Sequence, residues 1–318
     1  MTATQSSPAP GPMPPAAIID SPRKIARQRR QSAVGRFIKE FAQHRSGLAG
    51  VAILVFFVLV AVTAPWIFPD YLLSPNDNLS NEALAAPSSE FYYWLGTDNL
   101  GRSVLAELAW GTRPSLVVGI IGSIIAMVIG TLVGISSGHF RNLLGSGMER
   151  LTDWFLVLPF IPLVIVLQAV IGQTSIWVTV IVLGLASWPG TARLVRAQTL
   201  SVEARPYIER AKVLGNSDWI QMVRHVLPNV MPLVIANTTL TVAVVILSMT
   251  TLSFLGLFDP NIISWGGMLE AADGAGAASE GAWWFLIPPG LCVIAVVLAF
   301  TLIGRTLEVV LNPRLGSD

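Results

Sequence analysis

A run of 39 residues, Trp154–Ala192, carries no Asp, Glu, Lys or Arg. About 20 apolar residues suffice for a helix to cross a hydrocarbon core roughly 30 Å thick, so this run alone is long enough for two crossings. Four further stretches are equally free of those charges: Ser46–Pro69, Pro114–Phe140, Asn229–Phe258 and Gly281–Gly304. Only 12% of the chain is charged against 53% hydrophobic, where a soluble domain has about 25% charged residues. Too little polar surface remains to cover a globule. The expected fold is an all-α integral membrane protein, a single membrane domain over 46–308 with a tail at 309–318. Its six transmembrane helices fall at about 46–69, 114–138, 154–171, 176–192, 229–256 and 283–304. Gly172-Gln173-Thr174-Ser175 is the expected turn between the third and fourth. Trp283-Trp284 suit the membrane interface at the entry to the sixth. The first span is too long and too late in the chain for a cleaved signal sequence.

Six crossings place both termini on one side, and the basic residues decide which. Segments 1–45, 141–153, 193–228 and 305–318 hold 18 of the 20 Lys and Arg; only Arg102 and Arg113 fall in the alternate segments. By the positive-inside rule the first set is cytoplasmic. The outer side keeps ten acids, among them Asp98, Glu107, Asp259 and Glu270. Residues 1–22 contain six prolines among Ser, Ala and Gly, a composition that buries no core and reads as disordered. Residues 23–45 carry eight Lys/Arg with Val34, Phe37, Ile38 and Phe41 at helical spacing. This reads as an amphipathic helix on the membrane surface. A nucleic-acid-binding arm is the rival, disfavoured because a span follows at once.

The chain shows no motor and no chemistry of its own. No Asp, Glu, Lys or Arg lies within the six spans, whereas gradient-driven carriers commonly place such groups at membrane depth. There is no G-x-x-x-x-G-K-[ST] loop to cradle nucleotide phosphates. His44, His139 and His225 are scattered and form no metal set, and Cys292, the one cysteine, sits in an apolar run as a small buried residue. Uphill transport by such a chain needs energy delivered by a partner.

The longest inner loop is where a partner would act. Pro206 can open a helix, with Ile208, Ala211 and Leu214 as its apolar side. Gly215 suits a left-handed C-cap. Asp218 can start a second helix, Trp219 to Val226, stopped near Pro228. The bland reading is an amphipathic connector covering span ends. The residues say more: Glu209-Arg210-Ala211, then Gly215, then Leu227-Pro228 resembles the E-A-A…G…L-P loop of ABC importer permeases. Arg210 stands for the middle Ala, and His225 where an aliphatic residue is usual. The resemblance implies a helix-turn-helix coupling loop that docks in a groove of an ATPase subunit, with Glu209, Ala211 and Gly215 as contact and turn residues.

Three more stretches narrow the family. Leu95-Gly96-Thr97-Asp98-Asn99-Leu100-Gly101-Arg102 with Gly111-Thr112-Arg113-Pro114-Ser115-Leu116 is similar to the L-G-T-D-x-x-G-R…G-x-R-x-S-L segment of C-type dipeptide/oligopeptide permeases, Ser103 standing where Asp is usual. Leu252–Leu257 with Pro260 and Ser264-Trp265-Gly266 resembles that family's segment after span five. Leu311-Asn312-Pro313-Arg314-Leu315 resembles its L-D-P-R-L ending. The likeness covers about 34–316. It implies a non-catalytic subunit of the bacterial inner membrane, working with a second permease, two cytoplasmic ABC ATPases and an extracellular solute-binding protein. No cofactor of its own is implied, since ATP binds the partner subunits. The cargo would be short peptides, or alternatively nickel or another small solute. A self-powered transporter or channel, or a membrane scaffold, is the reading from other classes.

Two groups of residues stay open in the sequence. Gly96, Asp98, Gly101, Arg102 and Arg113 form either a structured loop with a surface ion pair or a lock over the pore mouth. Gln168, Asn237, Thr238 and Thr239 either line a wet cavity or hydrogen-bond between helices. The outer segment of about 70–113 is long for a connector and is expected to carry short helices.

Overall fold

A computed structural model describes residues 35–74, 82–172 and 175–311. The expectations for residues 1–34, for Gln173-Thr174 and for the Asn312–Leu315 ending lie outside the described residues. The chain divides into two units, Met1–Glu40 and Phe41–Asp318. In the first, residues 35–40 belong to a helix, α1, that runs over 35–43.

Among the described residues of the second unit the regular elements are helices, joined by turns and loops, with an isolated bridge between Thr97 and Ser103. Five helices are long and apolar enough to cross a membrane: α2 (Arg45–Ile67), α3 (Val104–His139), α6 (Ile176–Glu203), the rod Asp218–Phe254, and α11 (Trp283–Leu311). The sixth candidate is a bent pair, α4 (Leu143–Val157) and α5 (Phe160–Ile171), at 97° to each other. One straight helix over 154–171 is therefore not what forms. Pro159 lacks the N–H a continuing helix needs and pushes Leu158 to extended backbone. Gly172 ends α5 at φ +67, as a left-handed cap.

Four other spans extend past their expected bounds, the fifth starting at Asp218 rather than 229 and the sixth ending at Leu311 rather than 304. The second begins ten residues before Pro114, because Ser103 caps α3 by accepting from the Ala106 N–H at 3.2 Å. Serine and aspartate are comparable N-caps, so the exchange of Asp for Ser103 keeps this function. Pro114, expected at the start, lies well inside the helix. The fourth span runs on to Glu203 rather than stopping at 192, which carries Arg193 and Arg196 on the same rod.

α3 and α6 form the tightest pairing. Gly122, Ala126, Gly130, Gly134 and Gly138 recur every four residues along one edge of α3, a row of small side chains that lets two backbones approach. A Cβ placed on Gly134 would lie 2.6 Å from the Ala192 carbonyl oxygen. Around this pair, α9 (Leu227–Phe254) and α11 pack through Val242, Ile246, Val293, Val296 and Phe300, with Phe57 of α2 against Trp265. Past Phe254 the chain turns at Gly256 (φ +71) and folds back as α10 (Trp265–Gly274), whose Trp265 indole donates to the Leu108 carbonyl at 3.1 Å.

Candidate functional site

The loop between α6 and the next rod is built as two short helices. α7 (Pro206–Val213) starts with Pro206 in its first turn, where a missing N–H costs nothing. Its end is a Schellman motif: Asn216 N–H donates to the Ala211 carbonyl (3.1 Å) and Gly215 N–H to Lys212 (3.0 Å). Gly215 adopts φ +81, and nothing lies within 4 Å of where its Cβ would be. The glycine is required by backbone conformation alone. α8 (Asp218–Gln221) follows at once.

Ile208 and Ala211 are both buried, Ile208 in one cluster with Val202, Val226, Val230 and Val234. Leu214, expected on that apolar side, does not join them. Val213, Leu214 and Trp219 are 84, 82 and 69% exposed, an apolar tip around Gly215. Glu209 and Arg210 also point outward, and neither forms an ion pair among the described residues.

Pro228 does not stop the second helix. Met222–Val226 widens into a π turn, in which the Leu227 N–H reaches back five residues to the Met222 carbonyl. This slack seats Pro228 in the first turn of α9, and the rod continues unbroken to Phe254. Leu227 packs against the Val226–Val230 cluster. His225 lies on the π turn with its ring 6.1 Å from Tyr207 of α7, while its carbonyl accepts from Asn229 Nδ2 at 2.7 Å. It thus faces α7 rather than the exposed tip.

Beneath this loop lies a polar brace that sequence reasoning missed. His139, at the last turn of α3, places Nδ1 2.7 Å from Glu203 Oε1 and Nε2 3.3 Å from Asp218 Oδ1. The other oxygen of Glu203 accepts from Lys212 Nζ at 2.7 Å. Glu203 and His139 are both buried. Four segments, the ends of α3 and α6, α7, and the start of α8, are tied through the Glu203 carboxylate and the His139 ring. The available signal was an ionisable ring at the end of an otherwise uncharged span.

At the opposite end of the bundle, Gly96, Asp98, Gly101 and Arg102 come together. Asp98 is fully buried; its Oδ1 accepts from the Leu100 and Arg102 N–H groups (2.8 and 2.7 Å) and its Oδ2 from Arg102 Nε and Nη2 (both 2.7 Å). The same Nη2 reaches Glu107 Oε1 at 2.8 Å. Gly96 is at φ +64, and a Cβ there would meet the Ala85 carbonyl oxygen at 2.3 Å. The Trp284 indole donates to the Thr97 carbonyl at 3.3 Å, while Trp283 remains half exposed. The long segment carries 3-10 turns at Asp70–Leu73 and Phe91–Tyr93. Arg113 does not join this knot. It sits within α3, donates to the Ala61 carbonyl of α2 and lies 5.5 Å from the Trp110 ring centre.

The four polar residues at membrane depth part company. Asn237 donates to Thr191 Oγ1 at 3.1 Å and also lines a cavity of about 310 Å3 with Thr191, Thr241 and Phe155. Thr238 and Thr239 return their hydroxyls to Val234 and Ile235 on their own helix. Gln168 is buried, and neither its oxygen nor its nitrogen finds a partner among the described residues.

Residues 130–317 match the family described as binding-protein-dependent transport system inner membrane component, and residues 32–87 the N-terminal TM domain of oligopeptide transport permease C. The chain is 36% identical over 277 residues to an oligopeptide transport system permease protein, OppC, of Haemophilus influenzae, covering 87% of each chain. It is 34% identical to a di/tripeptide transport system permease protein, DppC, of Pseudomonas aeruginosa, over 89% of this chain and 93% of the relative. A dipeptide transport system permease protein, DppC, of Bacillus subtilis is 32% identical over 87% of this chain and 84% of its own.

Proposed function

The chain belongs to the family of binding-protein-dependent transport system inner membrane components, and from that premise we propose that it carries short peptides inward as one half of a two-permease path. The relatives' names support peptide cargo over nickel or another small solute. The family sets aside the self-powered carrier and the scaffold.

In this reading α7 and α8 dock on a cytoplasmic ATPase. One observation carries it: the Gly215 Schellman turn holds Val213, Leu214 and Trp219 outward at a loop tip, flanked by exposed Glu209 and Arg210, which form no ion pair among the described residues. Exposed large apolar side chains clustered at a tip and rimmed by charge suit a protein partner. Closure of the ATPases would push on this tip. The rod Asp218–Phe254 and the His139–Glu203 brace would pass that motion to α9, α3 and α6. ATP is bound and split by the partner subunits, so the chain itself carries no cofactor and is not an enzyme. The placement of 18 of 20 basic residues supports both termini and the loop on the cytoplasmic side of a bacterial inner membrane. An extracellular binding protein would deliver cargo to the Asp98–Arg102 end.

The test uses the assembled importer in proteoliposomes with its binding protein. Trp219→Glu and Glu209→Lys should abolish peptide uptake and the substrate-stimulated part of ATP hydrolysis. Normal values for both would remove the coupling role from this loop.

A further inference from the structure

A cavity of about 520 Å3 lies at the end proposed as outer, between the start of α3, the turn after α9, α10 and the start of α11. Its charged lining is Arg102, Glu107, Asp259 and Glu270, Ser253 and Ser264 add hydroxyls, and Phe285 and Met268 supply apolar wall. Three carboxylates thus face one guanidinium, and that guanidinium is already committed to Asp98 through two of its nitrogens.

Glu107 is the telling residue. It is 1% exposed, its Oε1 is held by Arg102, and its Oε2 accepts no hydrogen bond from any described residue. A buried carboxylate oxygen left without a donor loses its hydration for no return, so a native structure that keeps one calls for an explanation. Asp259 spends Oδ1 on the Asn261 N–H and side chain, and Glu270 is exposed with no ion pair among the described residues. Arg102 is the cation of the lining, and its Nε and Nη2 are already engaged by Asp98 and Glu107.

The arrangement selects the class of cation. Among the described residues no three acidic, His or Cys side chains are grouped to hold a metal ion. The volume falls within the range of about 300–1,000 Å3 typical of small-molecule sites, far more than a lone inorganic ion fills. Carboxylates together with aromatic and thioether surface in one lining fit an ammonium joined to an apolar body. We infer that this cavity is an entry subsite that receives the free amino end of a short peptide, with Glu107, Asp259 and Glu270 as its anionic wall. The inference rests on the peptide-importer reading and adds a recognition step within the permease itself.

The complete importer, in nanodiscs and without binding protein, is titrated with alanyl-alanine and with N-acetyl-alanyl-alanine. The free peptide should bind at least about tenfold more tightly than the acetylated one. Asp259→Asn with Glu270→Gln, which leaves the Asp98–Arg102–Glu107 knot untouched, should erase most of that difference; Glu107→Gln should do so too. Equal binding of the two peptides, or a preference unchanged in the Asp259/Glu270 variant, overturns the subsite. Uptake of alanyl-alanine by the wild-type importer with its binding protein is measured in parallel. Uptake without amino-end preference removes the subsite alone; uptake of no peptide at all removes the peptide reading and the subsite with it.

Discussion

The imidazole Nδ1 of His139 lies 2.7 Å from Oε1 of Glu203, joining residues 64 positions apart. Lys212 holds the other carboxylate oxygen and Asp218 the other ring nitrogen. The loop that would meet an ATPase is thereby fastened to the ends of two membrane helices. A surface loop hinged only at its backbone would absorb a push; one braced by buried polar contacts transmits it.

His139→Ala and Glu203→Ala should each lower thermal stability, by roughly 1–3 kcal/mol for a buried group left unpaired. Because they share the interaction, the double variant should lose clearly less than the two single losses combined. Transport-coupled ATP hydrolysis should fall in all three. Additive stability losses would show that the contact carries no energy.

Gly215 separates conformation from bulk. Its φ of +81 disfavours any L side chain, yet the space around it is open. Gly215→Asn should retain most uptake, since Asn tolerates the left-handed region; Gly215→Val should lose it, at a local cost of about 1–2 kcal/mol. Uptake by the assembled importer reads the contrast, and equal activity of both variants would remove the turn from the mechanism.

Asp98 accepts four N–H bonds while wholly buried. Asp98→Ala should destabilise the outer knot by about 3–5 kcal/mol, chiefly because Arg102 is left partly uncompensated. Arg102→Lys should restore little, since an ammonium cannot repeat the two-nitrogen grip. Thermal unfolding of the purified chain in detergent checks both.

Two glycines on facing helices should respond in opposite ways. Gly134→Val drives a side chain into the Ala192 carbonyl and Val195, and should unfold the α3–α6 pair or block expression. Gly190→Ala meets nothing within 4 Å and should be neutral or slightly stabilising, since Ala favours the helix by about 1 kcal/mol. Yield and melting temperature of the two variants measure it.

Uncharged runs marked the five helices long and apolar enough to cross a membrane, because a crossing needs about 20 apolar residues, whereas the bend between α4 and α5 within the 39-residue run was not legible in them. Local chemistry likewise announced the turn at Gly215, where one backbone angle excludes most residues, and the Asp98–Arg102 pair, whose partners are four apart. What one stretch of sequence cannot carry is the meeting of distant stretches. The His139–Glu203 brace, the orphaned oxygen of Glu107 in its cavity and the passage of Pro228 through a π turn all depend on what packs alongside. A proline reads as a stop until a widened turn makes room for it, and a histidine reads as stray until a carboxylate 64 residues away is folded against it. Periodicity and charge act along the chain and were legible there; pairing acts across it, and only the tertiary structure decided it.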